Sequence, residues 1–183
     1  MQLPSTRPES DPTALVALQN ELLAVAEHLL GPRDLSKTIF RPAFDERGPR
    51  LRNTSALDGA FIELSFNAKG YWPTVVYEMA HECVHLLNPT VSYTNWLEEG
   101  IAVEFSILML AAYELPPLSP PPGPYLEALE MVRALPGGSL TAARAARSAA
   151  GALNAVTFNH LTVLFPEADE PFLRRLTEQC IPR

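Results

Sequence analysis

The residues best suited to chemistry are His81-Glu82-Cys83-Val84-His85, in the form H-E-x-x-H. On a helix, residues four apart are rotated by about 40° from one another, so both imidazoles project from one face. Two ligands of a tetrahedral metal ion need that arrangement. Glu82 is offset from His81 by about 100° and one rise. It can lean over the same face without binding the metal and take a proton from a water held there. A second stretch, Trp96-Leu97-Glu98-Glu99-Gly100-Ile101-Ala102, follows after a short loop and carries two adjacent carboxylates, either of which could complete the ligand set. The two stretches together point to a zinc-dependent hydrolase with one Zn2+ per chain.

The elements around them must form a fold that holds these groups. Asp11-Pro12 is a helix start, with a capping carboxylate and proline at the first helical position. Leu15, Leu18, Leu22, Val25 and Leu29 then recur at helical spacing until Gly31-Pro32. His28 lies on the polar side of that helix. Between Lys37 and Phe66 the pattern changes to short strands. Ile39, Phe40 and Phe44 before Asp45-Glu46-Arg47-Gly48-Pro49 suggest a hairpin. From Ala60 to Phe66, Ala60, Ile62, Leu64 and Phe66 face one way and Phe61, Glu63 and Ser65 the other.

Pro73 opens the motif helix and Asn88-Pro89 closes it. Its other residues are mostly apolar, so two histidines and a glutamate buried there need something to satisfy them, which a metal would do. Cys83 points away from the polar face. Glu78, one turn before Glu82, is expected to be exposed. Asn95 caps the next helix, apolar nearly all round through Leu110, which predicts the most buried helix of the fold.

Pro-rich Leu115–Pro124 can be neither helix nor central strand and reads as a stiff surface connector, or else as a partner-binding polyproline segment. Helices follow over Tyr125–Leu135, over Ala-rich Thr141–Leu153 with Arg144 and Arg147 on its exposed side, around Phe158–Leu164, and after Asp169.

At 183 residues the chain suits one well-buried domain: residues 1–10 read as a polar tail and 11–183 as a single domain. The net charge of −7, without a dense basic cluster, disfavours nucleic acid. No stretch approaches the 18 or so uninterrupted apolar residues of a membrane span. Two cysteines, Cys83 and Cys180, make no disulfide framework, and the start has no apolar signal core, so the cytoplasm is the expected location. Cys180 is expected to be an ordinary buried thiol rather than a further metal ligand.

H-E-x-x-H followed by W-L-x-E-G-x-A resembles the gluzincin zinc metallopeptidases, the group that contains thermolysin and aminopeptidase N. The spacing, 13 residues between His85 and Glu99, is closest to their compact peptidase MA-like members. The resemblance covers roughly residues 62–110. It implies an α+β, compact zincin-like domain: a small N-terminal sheet, the active-site helix and a mainly helical C-terminal half. It implies His81, His85 and Glu99 as zinc ligands, Glu82 as general base, and a peptide or protein substrate paired along Ala60–Phe66 as an edge strand. The family ligand immediately precedes the glycine, which selects Glu99 and leaves Glu98 as a solvated or rim carboxylate. Gly100 would let the two motif helices approach closely.

Related enzymes stabilise the oxyanion with a tyrosine or histidine ahead of the helix matching Phe158–Leu164. Here that place reads Gly151-Ala152-Leu153-Asn154, so His160 is the nearest donor, with Tyr93, Tyr113 and Tyr125 as further candidates. Glu104, an isolated carboxylate in an apolar helix, is a candidate to accept the free N–H of His81 or His85. The competing reading is a catalytically silent, zinc-stabilised regulatory or interaction domain.

Overall fold

Asp11 starts the first helix, α1 (Pro12–Leu30), its carboxylate accepting the Ala14 N–H at 3.0 Å. Gly31, at φ 102°, ends it. The structure, a computed structural model, describes residues 3–91 and 93–181. Leu15, Leu18, Leu22, Leu23, Ala26 and Leu30 form the buried stripe of α1, and His28 is exposed.

The described part of the expected polar tail is not free. Leu3 packs on the core, Pro8 is buried in a short 3-10 turn, and the Thr6 carbonyl accepts the Trp72 indole N–H at 2.7 Å. An indole whose N–H would otherwise be buried unpaired holds that segment in place. Met1 and Gln2 lie outside the described residues.

Four short strands follow: β1 (Thr38–Ile39), β2 (Ala43–Phe44), β3 (Arg50–Asn53) and β4 (Gly59–Leu64). Ala60, Ile62 and Leu64 of β4 are fully buried, as strict alternation requires. Phe66 does not continue that face: it is 48% exposed at the start of a 3-10 turn. The chain leaves the sheet at Ser65, whose N–H and hydroxyl both donate to Glu78, at 2.8 and 2.5 Å. Glu78 is therefore buried, not exposed, and fastens the end of β4 to the motif helix.

β4 is not an edge strand. β1 and β2 pair with it in parallel, Ile39 opposite Ala60 and Ala43 opposite Glu63. β3 pairs antiparallel on its other flank, Arg50 opposite Glu63 and Asn53 opposite Ala60. The turn at 45–49 therefore carries the chain across β4 instead of closing a hairpin. The hairpin is β3–β4, its loop closed by the Thr54 hydroxyl on Asp58 at 2.6 Å. Among the described residues β3 pairs with β4 alone, which leaves its outer edge open.

Seven helices complete a mixed α/β fold among the described residues. The motif helix α2 (Trp72–His85) lies under the sheet and packs on α1 and on α3 (Trp96–Ala112). Asn95 caps α3, its side chain accepting the Glu98 N–H at 2.8 Å. Leu97, Ile101, Ala102 and Phe105 are fully buried at the centre of the core. Leu97, Ile101 and Phe105 each contribute about 1.5–3 kcal/mol by burial.

Then come α4 (Pro124–Arg133), α5 (Ser139–Ala150), α6 (Phe158–Leu164) and α7 (Glu170–Thr177). The proline-rich segment is irregular and connects α3 to α4, with Leu115 and Leu118 packed against the core. Gly100 permits a close approach, but of α3 to α4: a Cβ there would meet the Ala128 carbonyl and lie 2.6 Å from Val132 Cγ1. None of the described helices is long and apolar enough to cross a membrane.

Candidate metal centre

α2 ends at His85, so His81 and His85 sit on its last turn, facing the first turn of α3. Their ring centroids are 5.0 Å apart. His81, His85 and Glu99 each offer one ligand atom, and the three atoms lie within 4.8 Å of one another. His81 Nε2 is 3.2 Å from Glu99 Oε2, and His85 Nε2 is 3.8 Å from Glu99 Oε1. Ligands about 2.05 Å from a tetrahedral ion stand about 3.3 Å apart, close to the separation of His81 Nε2 from Glu99 Oε2. Glu99 Oε2 is buried and has no hydrogen-bond partner, its approach to His81 lacking hydrogen-bond alignment. A buried carboxylate whose two oxygens each face one imidazole nitrogen suits a cation, and the three residues could hold a metal ion.

Glu82 is 4% exposed and lines the same cavity, of about 240 Å3, without joining the ligand cluster. Burial pushes its carboxyl pKa up, opposed by His81 and His85. Burial alone would depress the His85 pKa, but Glu99, the hydrogen bond to Glu98 and Glu82 together raise it to about 10. Glu99 is pushed up by burial yet pulled down to about 2 by His85, His81 and the neighbouring Thr94.

The carboxylate on the far side of His85 is Glu98, not Glu104. Glu98 Oε1 lies 3.0 Å from His85 Nδ1, and Glu98 is 4% exposed. The nearly all-round apolar character of α3 was the available signal, since it leaves no solvated stripe for Glu98. Glu104 instead reaches the edge of α3, where Arg133 pairs with it at 2.8 Å and the Ser139 hydroxyl lies 3.4 Å away.

His160 is not at the site. Its Nδ1 accepts the Thr157 N–H at 3.1 Å while the Thr157 hydroxyl oxygen accepts the His160 N–H, a reciprocal cap on α6. Tyr113 donates to Glu21 on α1, and Tyr93 is 71% exposed outside the cavity lining. Tyr125, delivered by Pro124 at the start of α4, is the phenol that lines the cavity, its ring edge-on to His81 at 5.6 Å. Burial, then Glu99 and Glu82, raise its pKa, so it is a neutral donor.

Pro49, Arg50 and Leu51 form one wall; Asn88, Thr90 and Thr94, from the loop joining α2 to α3, form another. A smaller adjoining cavity of about 90 Å3 lies between Pro49, Tyr77, Val103 and Tyr125. Cys180 is buried with Trp96 and Ala128, its thiol pKa raised to about 12 by burial and Glu99, and it is not among the clustered ligands.

No family model, no curated protein and no solved structure matches this chain.

Proposed function

We propose that the chain is a zinc metallopeptidase of gluzincin type with a compact zincin-like fold. The observation that carries this reading is the convergence of His81, His85 and Glu99 on one point, with Glu82 beside them and free of the ligand set. Two imidazoles and one carboxylate, with a cavity on the open side, suit a catalytic rather than a closed structural zinc site. Zinc held there would polarise a carbonyl and lower the pKa of a water to about 7.

The protein's own groups supply the rest. Glu82, kept basic enough by burial to accept a proton, takes it from the attacking water and passes it to the leaving amine. The Tyr125 hydroxyl donates to the oxygen that gains charge as the carbonyl is attacked. β3 offers its unpaired edge to an extended peptide. A peptide antiparallel to β3 runs from the Asn53 end toward Pro49, which directs its C-terminal side to the small cavity by Tyr77 and Val103.

The test is metal content of protein purified without added zinc, beside Glu99→Ala, followed by cleavage of a mixed peptide library. One zinc per chain, lost in the variant, with peptide products is the expected result. Wild-type protein that takes up no zinc even when supplied with it overturns the reading.

A further inference from the structure

Asn88 lines the metal cavity three residues after His85, and its amide is not free to turn. Arg147 of α5, 5% exposed and so buried rather than on the exposed side of its helix, places Nη2 2.6 Å and Nε 3.1 Å from Asn88 Oδ1. A guanidinium only donates, so the amide oxygen must face it and the amide nitrogen must face away. Arg147 is itself held from behind. It donates to the Leu30 carbonyl at 3.1 Å and to the Pro32 carbonyl at 2.7 Å, at the end of α1. Gly31 between them makes the room, since a Cβ there would stand 3.0 Å from Nη1. The Asn88 nitrogen donates to no protein group among the described residues.

We infer that Asn88 is a substrate-binding residue whose Nδ2 donates to a main-chain carbonyl of a polypeptide lying between β3 and the α2–α3 loop, and that Arg147 is its positioning residue. This rests on the metallopeptidase reading. An amide nitrogen only donates, so its partner is an acceptor, and Arg50 and Leu51 of β3 line the same cavity, where an extended peptide would lie. A main-chain carbonyl is also the acceptor that every extended peptide presents along a strand edge. Fixing the amide in advance removes an ordering cost from binding.

The experiment uses the zinc-loaded full chain and two probes: acetohydroxamic acid, which engages only the metal, and a neutral capped tripeptide hydroxamate, which adds main-chain carbonyls. Asn88→Asp keeps an oxygen for Arg147 but loses the donor; Asn88→Ala loses both. Each is expected to weaken the peptidyl hydroxamate about tenfold, while acetohydroxamate affinity and zinc content stay as in the wild type. Arg147→Lys, which retains the charge but not the paired donors, should show the same selective loss to a smaller degree. An equal loss for both probes, or no loss for either, overturns the assignment. Wild-type protein that holds no zinc, or binds the peptidyl probe no better than acetohydroxamate, removes the metallopeptidase reading and this inference with it.

Discussion

Glu98 Oε1 stands 3.0 Å from His85 Nδ1, while the next residue, Glu99, faces His85 Nε2 from the other side of the ring. Two consecutive residues of one helix therefore address both nitrogens of one imidazole. An Nδ1–H donated to Glu98 leaves the Nε2 lone pair for a metal, fixes the tautomer and raises ligand basicity. Glu98→Ala is expected to weaken zinc binding about 10- to 100-fold, and Glu98→Gln, which keeps an acceptor oxygen, less. Chelator competition measures it. Glu104→Ala is the comparison, because its carboxylate is engaged by Arg133, and its zinc affinity should match the wild type.

Glu82→Gln should retain zinc and lose turnover. The amide nearly preserves the shape of the buried carboxylate but accepts no proton. Metal content equal to wild type with cleavage reduced at least about 100-fold is the expected pair of results. Undiminished cleavage would remove Glu82 from the mechanism.

The metal-free cluster gives a pH dependence of stability whose sign follows from its shifts. His85 has its pKa raised from 6.5 to about 10, so its contribution is complete below pH 6.5 and is lost as pH rises through about 10. Glu99 is lowered from 4.5 to about 2, so its contribution is present above pH 4.5 and lost as pH falls through about 2. Glu82 and Glu78, both raised by burial, add to the decline on the alkaline side. Chelator-treated protein should therefore melt at a higher temperature at pH 5.5 than at pH 9. With zinc the order should reverse, since the metal binds only the deprotonated imidazole. Thermal melts at both pH values, with and without zinc, decide it.

Gly100→Ala should destabilise the fold by about 1–3 kcal/mol without removing any ligand. The added methyl would press on the Ala128 carbonyl and Val132 of α4, the helix that carries Tyr125 in its first turn. A lowered melting temperature with zinc still bound is the expected result.

The shared face of the two motif histidines and the helix starts were legible because each is a local property. His81 and His85 share a helix face by spacing alone, and Asp11, Pro12, Gly31, Pro73 and Asn95 mark ends through their own backbone chemistry. The misread positions depend on what lies across the fold. Glu78 was expected in solvent, but Ser65, at the end of a strand 13 residues earlier, buries it. Arg147 reads as a surface residue of an Ala-rich helix until the carbonyls after α1 surround it. β4 has the alternation of a half-buried strand, which cannot reveal that partners flank it on both sides. Periodicity reports how buried a face is, and not which neighbour buries it.

Tyr125 and His160 are separated by the same reasoning, and a pair of variants distinguishes them. The His160 ring spends its Nδ1 on the backbone of its own helix cap, whereas the Tyr125 ring meets His81 edge-on within the cavity. Replacing Tyr125 with Phe removes one hydroxyl and leaves the ring packing intact. If that hydroxyl donates to the developing oxyanion, kcat should fall about 100- to 1000-fold with KM and zinc content little changed, because the interaction strengthens only in the transition state. His160→Ala should instead lower the melting temperature slightly through the lost cap and leave kcat intact. Steady-state kinetics on one cleaved peptide, with melts of both variants, checks the assignment. A drop in kcat for His160→Ala with none for Tyr125→Phe would return the donor to α6.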